Sequence, residues 1–198
     1  MSQPRIVGLC GTHGTGKSTI INGVRDLGYK VNQAQLSRSA QKALGWDTLS
    51  RAQESKANMW ALQYAILDAM FDRDQEALST AEIVLVERTP ADVWAYTEMW
   101  CRRLLIDHVT DRQAVMYKKA CRDLATNYCQ FLFVPISDAV KFVAEPNRAD
   151  SESRSFVNIA IREFIESGGL PLTEIRSTSP VTRIAEAQTT ISIERMKL

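Results

Sequence analysis

Eight consecutive residues, Gly11-Thr12-His13-Gly14-Thr15-Gly16-Lys17-Ser18, spell G-x-x-x-x-G-K-S. The pattern suits a triphosphate. Glycines let backbone N–H groups close around phosphate oxygens, and a helix starting at the end of the loop adds the positive pole of its dipole. A lysine at the position of Lys17 reaches the β- and γ-phosphates, and a hydroxyl at the position of Ser18 can ligate Mg²⁺. The flanks agree, with the apolar run Ile6-Val7-Gly8-Leu9-Cys10 before the loop and a helical start, Ser18-Thr19-Ile20-Ile21, after it. Residues Gly11 to Thr19 therefore read as a nucleoside triphosphate site.

A second group lies in Val84-Leu85-Val86-Glu87-Arg88-Thr89-Pro90. In an open parallel sheet, ligands bind outside the carboxyl ends of the strands. A carboxylate there, Glu87, can orient Mg²⁺ or its waters, and an arginine, Arg88, can clamp phosphate or developing negative charge. The competing reading is a strand-end salt bridge with a capped helix behind it.

These groups need elements to hold them. The order predicted from periodicity and punctuation begins with a strand at 5–10, the loop, a helix of about ten residues ending near Gly28, a short strand at 29–32, and a helix at 36–44 closed by Gly45. Ser50 with Gln53 has the form of a capping box and opens a long helix to about residue 79. Ile83-Val84-Leu85-Val86 is a strand buried on both faces. Thr89 caps and Pro90 starts a helix reaching residue 108, and another helix spans 112–127. A core strand at 131–136 follows, then a polar stretch and a helix with Val157, Ile161 and Ile165 on one side. Gly168-Gly169 ends it, 170–175 is the fifth strand, and Ser179-Pro180 starts the last helix. Strands alternating with helices predict one α/β/α domain over 1–198, with a five-stranded parallel sheet between helical layers.

Composition narrows the partners. Lysine and arginine number 24 against 23 acidic residues, so no global field calls for nucleic acid or membrane, although a local basic groove remains open. No apolar run approaches the roughly 20 residues of a membrane span. The four cysteines lack C-x-x-C spacing and there are two histidines, which points to free thiols in a reducing cytoplasm rather than to zinc. Trp94, Tyr96 and Trp100, with Trp60 and Tyr64, read as core aromatics or, alternatively, as faces for stacking a base. His13 is read as a variable loop position and His108 as a partner for a helix terminus. A guanine-specific N-K-x-D is absent, and the core strand ends in Glu-Arg rather than the Asp-Glu of motor ATPases.

The triphosphate loop followed by Glu87-Arg88-Thr89 resembles the Glu-Arg-Ser or Asp-Arg-Ser arrangement of P-loop deoxynucleoside kinases. More broadly, the chain resembles the small nucleoside and nucleotide kinases, including nicotinamide-riboside-kinase-like ATPases and related phage enzymes. The resemblance implies the P-loop NTPase three-layer fold and an ATP-dependent phosphotransferase with Mg²⁺ held by Ser18 and Glu87. Lys17, Glu87 and Arg88 would be catalytic, with Arg88 on the acceptor or phosphate. It implies a lid over about 145–155, with Arg148 and Arg154 meeting the transferring group and Arg162 one helix face further on. It also puts Arg176-Ser177-Thr178-Ser179 beside the adenine. The family places a carboxylate just after the second strand, whereas Val31-Asn32-Gln33-Ala34-Gln35 has none. Either Glu87 or Asp92 is then the base, or the acceptor is a phosphate that needs no proton removed. The expected acceptor is a small nucleotide-type molecule. The alternatives are a phage-type kinase acting on 5-hydroxymethyluracil in DNA, in host cytoplasm, and a P-loop ATPase that is not a kinase.

Overall fold

The computed structural model describes residues 5–33, 35–80, 82–138, 140 and 151–197. In chain order these form β1 (Arg5–Cys10), α1 (Lys17–Asp26), β2 (Lys30–Asn32), α2 (Leu36–Ala43), a 3₁₀ turn (Leu49–Gln53), α3 (Lys56–Leu78), β3 (Ile83–Glu87) and α4 (Pro90–Arg103). There follow α5 (Arg112–Ala125), β4 (Tyr128–Phe133), α6 (Ser151–Ser167), β5 (Leu172–Glu174) and α7 (Pro180–Met196). The five strands make one parallel sheet in the order β2-β3-β1-β4-β5.

Strand periodicity explains why the core runs are apolar throughout. Along β1, Ile6 and Cys10 face one side while Val7 and Leu9 face the other. The same alternation splits Val84 and Val86 from Ile83 and Leu85, and Phe131 and Phe133 from Leu132 and Val134. One face packs on α2, α3, α4 and α6 through residues such as Met59, Met70, Trp94, Val157 and Ile161. The other packs on α1 and α7 through Ile20, Ile21, Val24, Ala187 and Ile191. A strand covered on both faces has no polar side to show. Gly8 in β1 is required by packing, since a Cβ there would lie 2.5 Å from the Thr89 methyl group and 2.8 Å from the Tyr128 ring.

Several boundaries differ from expectation. The long helix starts at Lys56, with Ser55 accepting from the Asn58 N–H at 3.1 Å, and Ser50 instead lies in the 3₁₀ turn capped by Thr48. Helix α4 stops at Arg103 rather than 108, because Leu105 turns left-handed (φ 54) and the Ile106 N–H closes on Cys101 O at 2.8 Å. Strand β4 runs from Tyr128, earlier than read. Pro135 has no N–H to extend the ladder, and the Val134 N–H on Cys10 O is its last bond to β1. Of the expected lid, residues 145–150, with Arg148, lie outside the described residues, and 151–155 form the first turn of α6.

Candidate active site

The donor loop bridges β1 and α1. Gly11, Gly14 and Gly16 adopt φ of 141°, 68° and 90°, a backbone path L side chains rarely take, and this explains the glycine spacing. Lys17 is 4 % exposed, and its Nζ spans the loop, donating to Gly11 O and Thr12 O at 2.7 Å each. An ammonium has three donors, so one remains for phosphate. Burial, and then the charge of Arg88, lowers the Lys17 pKa to about 8. Ser18 and Thr19 are exposed on the first turn of α1, which leaves the Ser18 hydroxyl open to a cation.

Glu87 and Arg88 stand at the carboxyl end of β3, beside the end of β1 that feeds the loop. A buried carboxylate ties the two ends together. Asp92 Oδ1 accepts from the Gly11 N–H at 3.1 Å, and Oδ2 accepts from the Thr89 N–H at 2.8 Å and the Thr89 hydroxyl at 2.9 Å. Thr89 and Asp92 also form the capping box of α4. Asp92 therefore braces the loop, and of Glu87 and Asp92 it is the more committed to structural hydrogen bonds. Glu87 Oε2 accepts from the Gln33 side chain at 2.7 Å. Gln33 comes from the segment after β2, which has no carboxylate.

Arg88 is left-handed (φ 69), a strain of order 1–3 kcal/mol for a residue with a Cβ. Its guanidinium lies 5.2 Å from the Tyr96 ring centre and 3.6 Å from Asp92 Oδ1. The atom nearest Asp92 is Nη1, which is buried and makes no hydrogen bond. Tyr96 reaches the loop as well: its hydroxyl accepts from the His13 N–H at 3.3 Å and lies 3.1 Å from His13 Nδ1. His13 is thus a buried anchor of the loop rather than a free position.

Two further arginines grip the loop from other elements. Arg154, in the first turn of α6, donates through Nε to His13 O and through Nη2 to Gly14 O, both at 3.1 Å. Arg183, in the first turns of α7, donates to Thr15 O at 2.8 Å and to Ser177 O at 2.7 Å. The 176–177 backbone is fixed again by Glu186, which accepts from both N–H groups and from the Ser177 hydroxyl. Sequence reading missed Arg183. Its one local signal is a cation near a helix N-terminus, where the dipole disfavours it.

Other expected participants sit elsewhere. Arg162 pairs with Glu174 at 2.6 Å. Trp94 and Trp60 are core residues, Trp60 and Tyr64 clustering with Tyr117, and Arg103 lies over Trp100. With α4 ending early, His108 lies beyond the helix, 3.3 Å from Glu98. Among the described residues no His, Cys, Asp and Glu cluster forms a metal cage, which a magnesium ion carried on nucleotide phosphates does not require. No described helix is long and apolar enough to cross a membrane.

A parallel sheet with a glycine-rich loop at the end of its central strand, opening into a helix, defines a P-loop α/β protein. Residues 6–183 match the family model described as an AAA domain, and the chain belongs to that family. No curated protein sequence matches it. Among solved structures, deoxyadenosine kinase from M. mycoides with the products dCMP and a flexible dCDP bound is similar at TM-score 0.68 and 15% identity, over 94% of this chain and 98% of that one. The same enzyme with bound dATP gives 0.67 at 14% identity, over 94% and 99%. A NadR protein in complex with NR gives 0.67 at 15% identity, over 98% of this chain and 51% of that one. At these identities the likeness establishes the fold.

Proposed function

We propose that this chain is an ATP-dependent kinase that moves a γ-phosphoryl group to a nucleoside, nucleotide or related small acceptor. The observation that carries the reading is the bracing of two chemical groups by one residue. Asp92 holds the backbone of the donor loop and of the Glu87-Arg88-Thr89 corner together, so a phosphate in the loop faces Arg88. The similar deoxyadenosine kinase and the NR-bound NadR support an acceptor of nucleoside size.

The chemistry is in-line transfer, in which the protein contributes position and charge. Lys17 and the loop N–H groups hold the β- and γ-phosphates. Mg²⁺ bound with the nucleotide would be held by Ser18 and Glu87 and would neutralise charge between the phosphates. Arg88 meets the transferring group or the acceptor with its Nη1, which makes no hydrogen bond within the protein and pairs with Asp92 at 3.6 Å. Arg154, which holds the His13 and Gly14 carbonyls, turns onto the phosphates when the donor binds. The free thiols Cys10, Cys101, Cys121 and Cys129 fit a reducing cytoplasm.

A screen with γ-labelled ATP across nucleosides, their monophosphates, nicotinamide riboside and hydroxymethylated DNA tests the reading. Label on a nucleoside or nucleotide is the expected result. Label on modified DNA alone would move the acceptor to nucleic acid, and hydrolysis with no labelled acceptor would make the protein an ATPase.

A further inference from the structure

Behind the Glu87-Arg88 corner lies a buried ionic cluster that the mechanism above does not use. Arg73, on α3, is 4 % exposed and spends all five of its N–H groups. Nε and Nη2 donate to Asp74 Oδ1 at 2.9 and 2.6 Å, and Nη2 donates again to the Tyr128 hydroxyl at 2.7 Å. That hydroxyl donates in turn to Asp74 Oδ2 at 2.8 Å, closing a ring of three buried side chains. The two remaining donors, on Nη1, go to the backbone carbonyls of Glu87 and Arg88, at 2.7 and 2.8 Å.

Those carbonyls belong to the residues that carry the reacting groups, and one of them is at the left-handed Arg88. The Arg88 N–H is already fixed to Leu9 O at 3.2 Å. With both its N–H and its C=O bonded, the strained conformation has nowhere to relax. A buried ion pair is weak evidence for stability, since apolar replacements of similar volume often serve as well. A planar guanidinium held through Nε and Nη2 by Asp74 and Tyr128, with both N–H groups of Nη1 on two successive carbonyls, is a device for geometry. Lysine carries its three donors on one atom and cannot hold Asp74, Tyr128 and both carbonyls at once.

We infer that Arg73 is a positioning residue for the phosphoryl-transfer corner: Asp74 and Tyr128 aim its guanidinium, and its Nη1 holds Glu87 and Arg88 where their side chains meet the donor loop. The inference rests on the kinase reading for its kinetic consequence but not for its structural one.

The test uses the full chain with Arg73→Met, Arg73→Lys and Tyr128→Phe. In Arg73→Met, kcat falls about 100-fold, the scale expected when reacting groups are misplaced by about 1 Å, while ATP affinity changes less than about threefold. Arg73→Lys keeps the charge and loses comparable activity. Tyr128→Phe removes one of the three bonds that aim the guanidinium and leaves the two from Asp74, so kcat falls less than in the Arg73 variants. The ¹³Cα and ¹³Cβ shifts of Arg88, which report its backbone conformation, leave the left-handed range in both Arg73 variants whether or not an acceptor is known. Unchanged Arg88 shifts in Arg73→Lys, or kcat within threefold of the parent in that variant, would overturn the inference. If Arg73→Met does not fold, Arg73→Lys decides. A parent enzyme that transfers no phosphate sinks the kinase reading, and the shifts still judge the role of Arg73.

Discussion

Binding ATP above neutral pH should draw a proton from solution, and Lys17 sets how much. In the free protein its pKa is lowered to about 8 by burial and by Arg88, so the side chain is about half deprotonated at pH 8 and about nine-tenths deprotonated at pH 9. A triphosphate in the loop restores the charge, because an adjacent anion favours the protonated form. The expected uptake is therefore about 0.1 proton per ATP at pH 7, about 0.5 at pH 8 and about 0.9 at pH 9. Since the lysine must be recharged at about 1.4 kcal/mol per pH unit, Kd should rise roughly tenfold between pH 9 and 10. Titration calorimetry in two buffers of different ionisation heat measures both quantities. The same shift affects folding. Between pH 8 and 10.5 the unfolded chain binds this proton and the folded chain does not, so its contribution to stability rises with pH across that window; below it, the charged form costs up to roughly 3 kcal/mol. Uptake below about 0.2 proton at pH 9, with Kd flat from pH 8 to 10, would refute the placement of a buried, discharged lysine across the loop.

Other substitutions separate the parts of the site. Glu87→Gln should weaken Mg²⁺-dependent turnover and Arg88→Ala should lower kcat or acceptor use, each by roughly two decades, read from steady-state rates against Mg²⁺ and acceptor; full activity with a lowered Tm in both would favour a structural salt bridge. Arg154→Ala should cut kcat far more than ATP affinity, because only contacts stronger in the transition state speed chemistry, and equal losses in both would contradict that role. Arg183→Met breaks the link between Thr15 and Ser177, so it should weaken ATP binding more than tripolyphosphate binding in parallel titrations; equal weakening would detach the 176–179 segment from the donor base.

Much of the architecture was legible because it is local. Apolar runs of strand length, helical spacing and caps such as Thr89 and Ser179 depend on neighbours a few residues away, and they gave the element order and the parallel sheet. The donor loop was legible for the same reason, its glycines answering to backbone angles within eight residues. Boundaries failed where a nearby alternative was equally good locally. Ser50 and Ser55 both suit a cap, and packing of the 3₁₀ turn chose the second.

The sequence alone determined that a glycine-rich loop leads from the first strand into a helix and that Glu87 ends a core strand with Arg88 next. Tertiary structure decided who holds them. Asp92 lies 81 residues from the Gly11 it braces, Gln33 lies 54 from Glu87, and Arg183 lies 168 from the Thr15 carbonyl. Asp92 and Arg183 leave no mark in spacing, because a backbone N–H or carbonyl places no demand on the residue type that offers it, and Gln33 meets the Glu87 side chain because β2 pairs with β3. Arg73 reads in sequence as one more charge on a long helix. Only folding, which buries it against the Glu87 and Arg88 carbonyls, turns that charge into a support for the site.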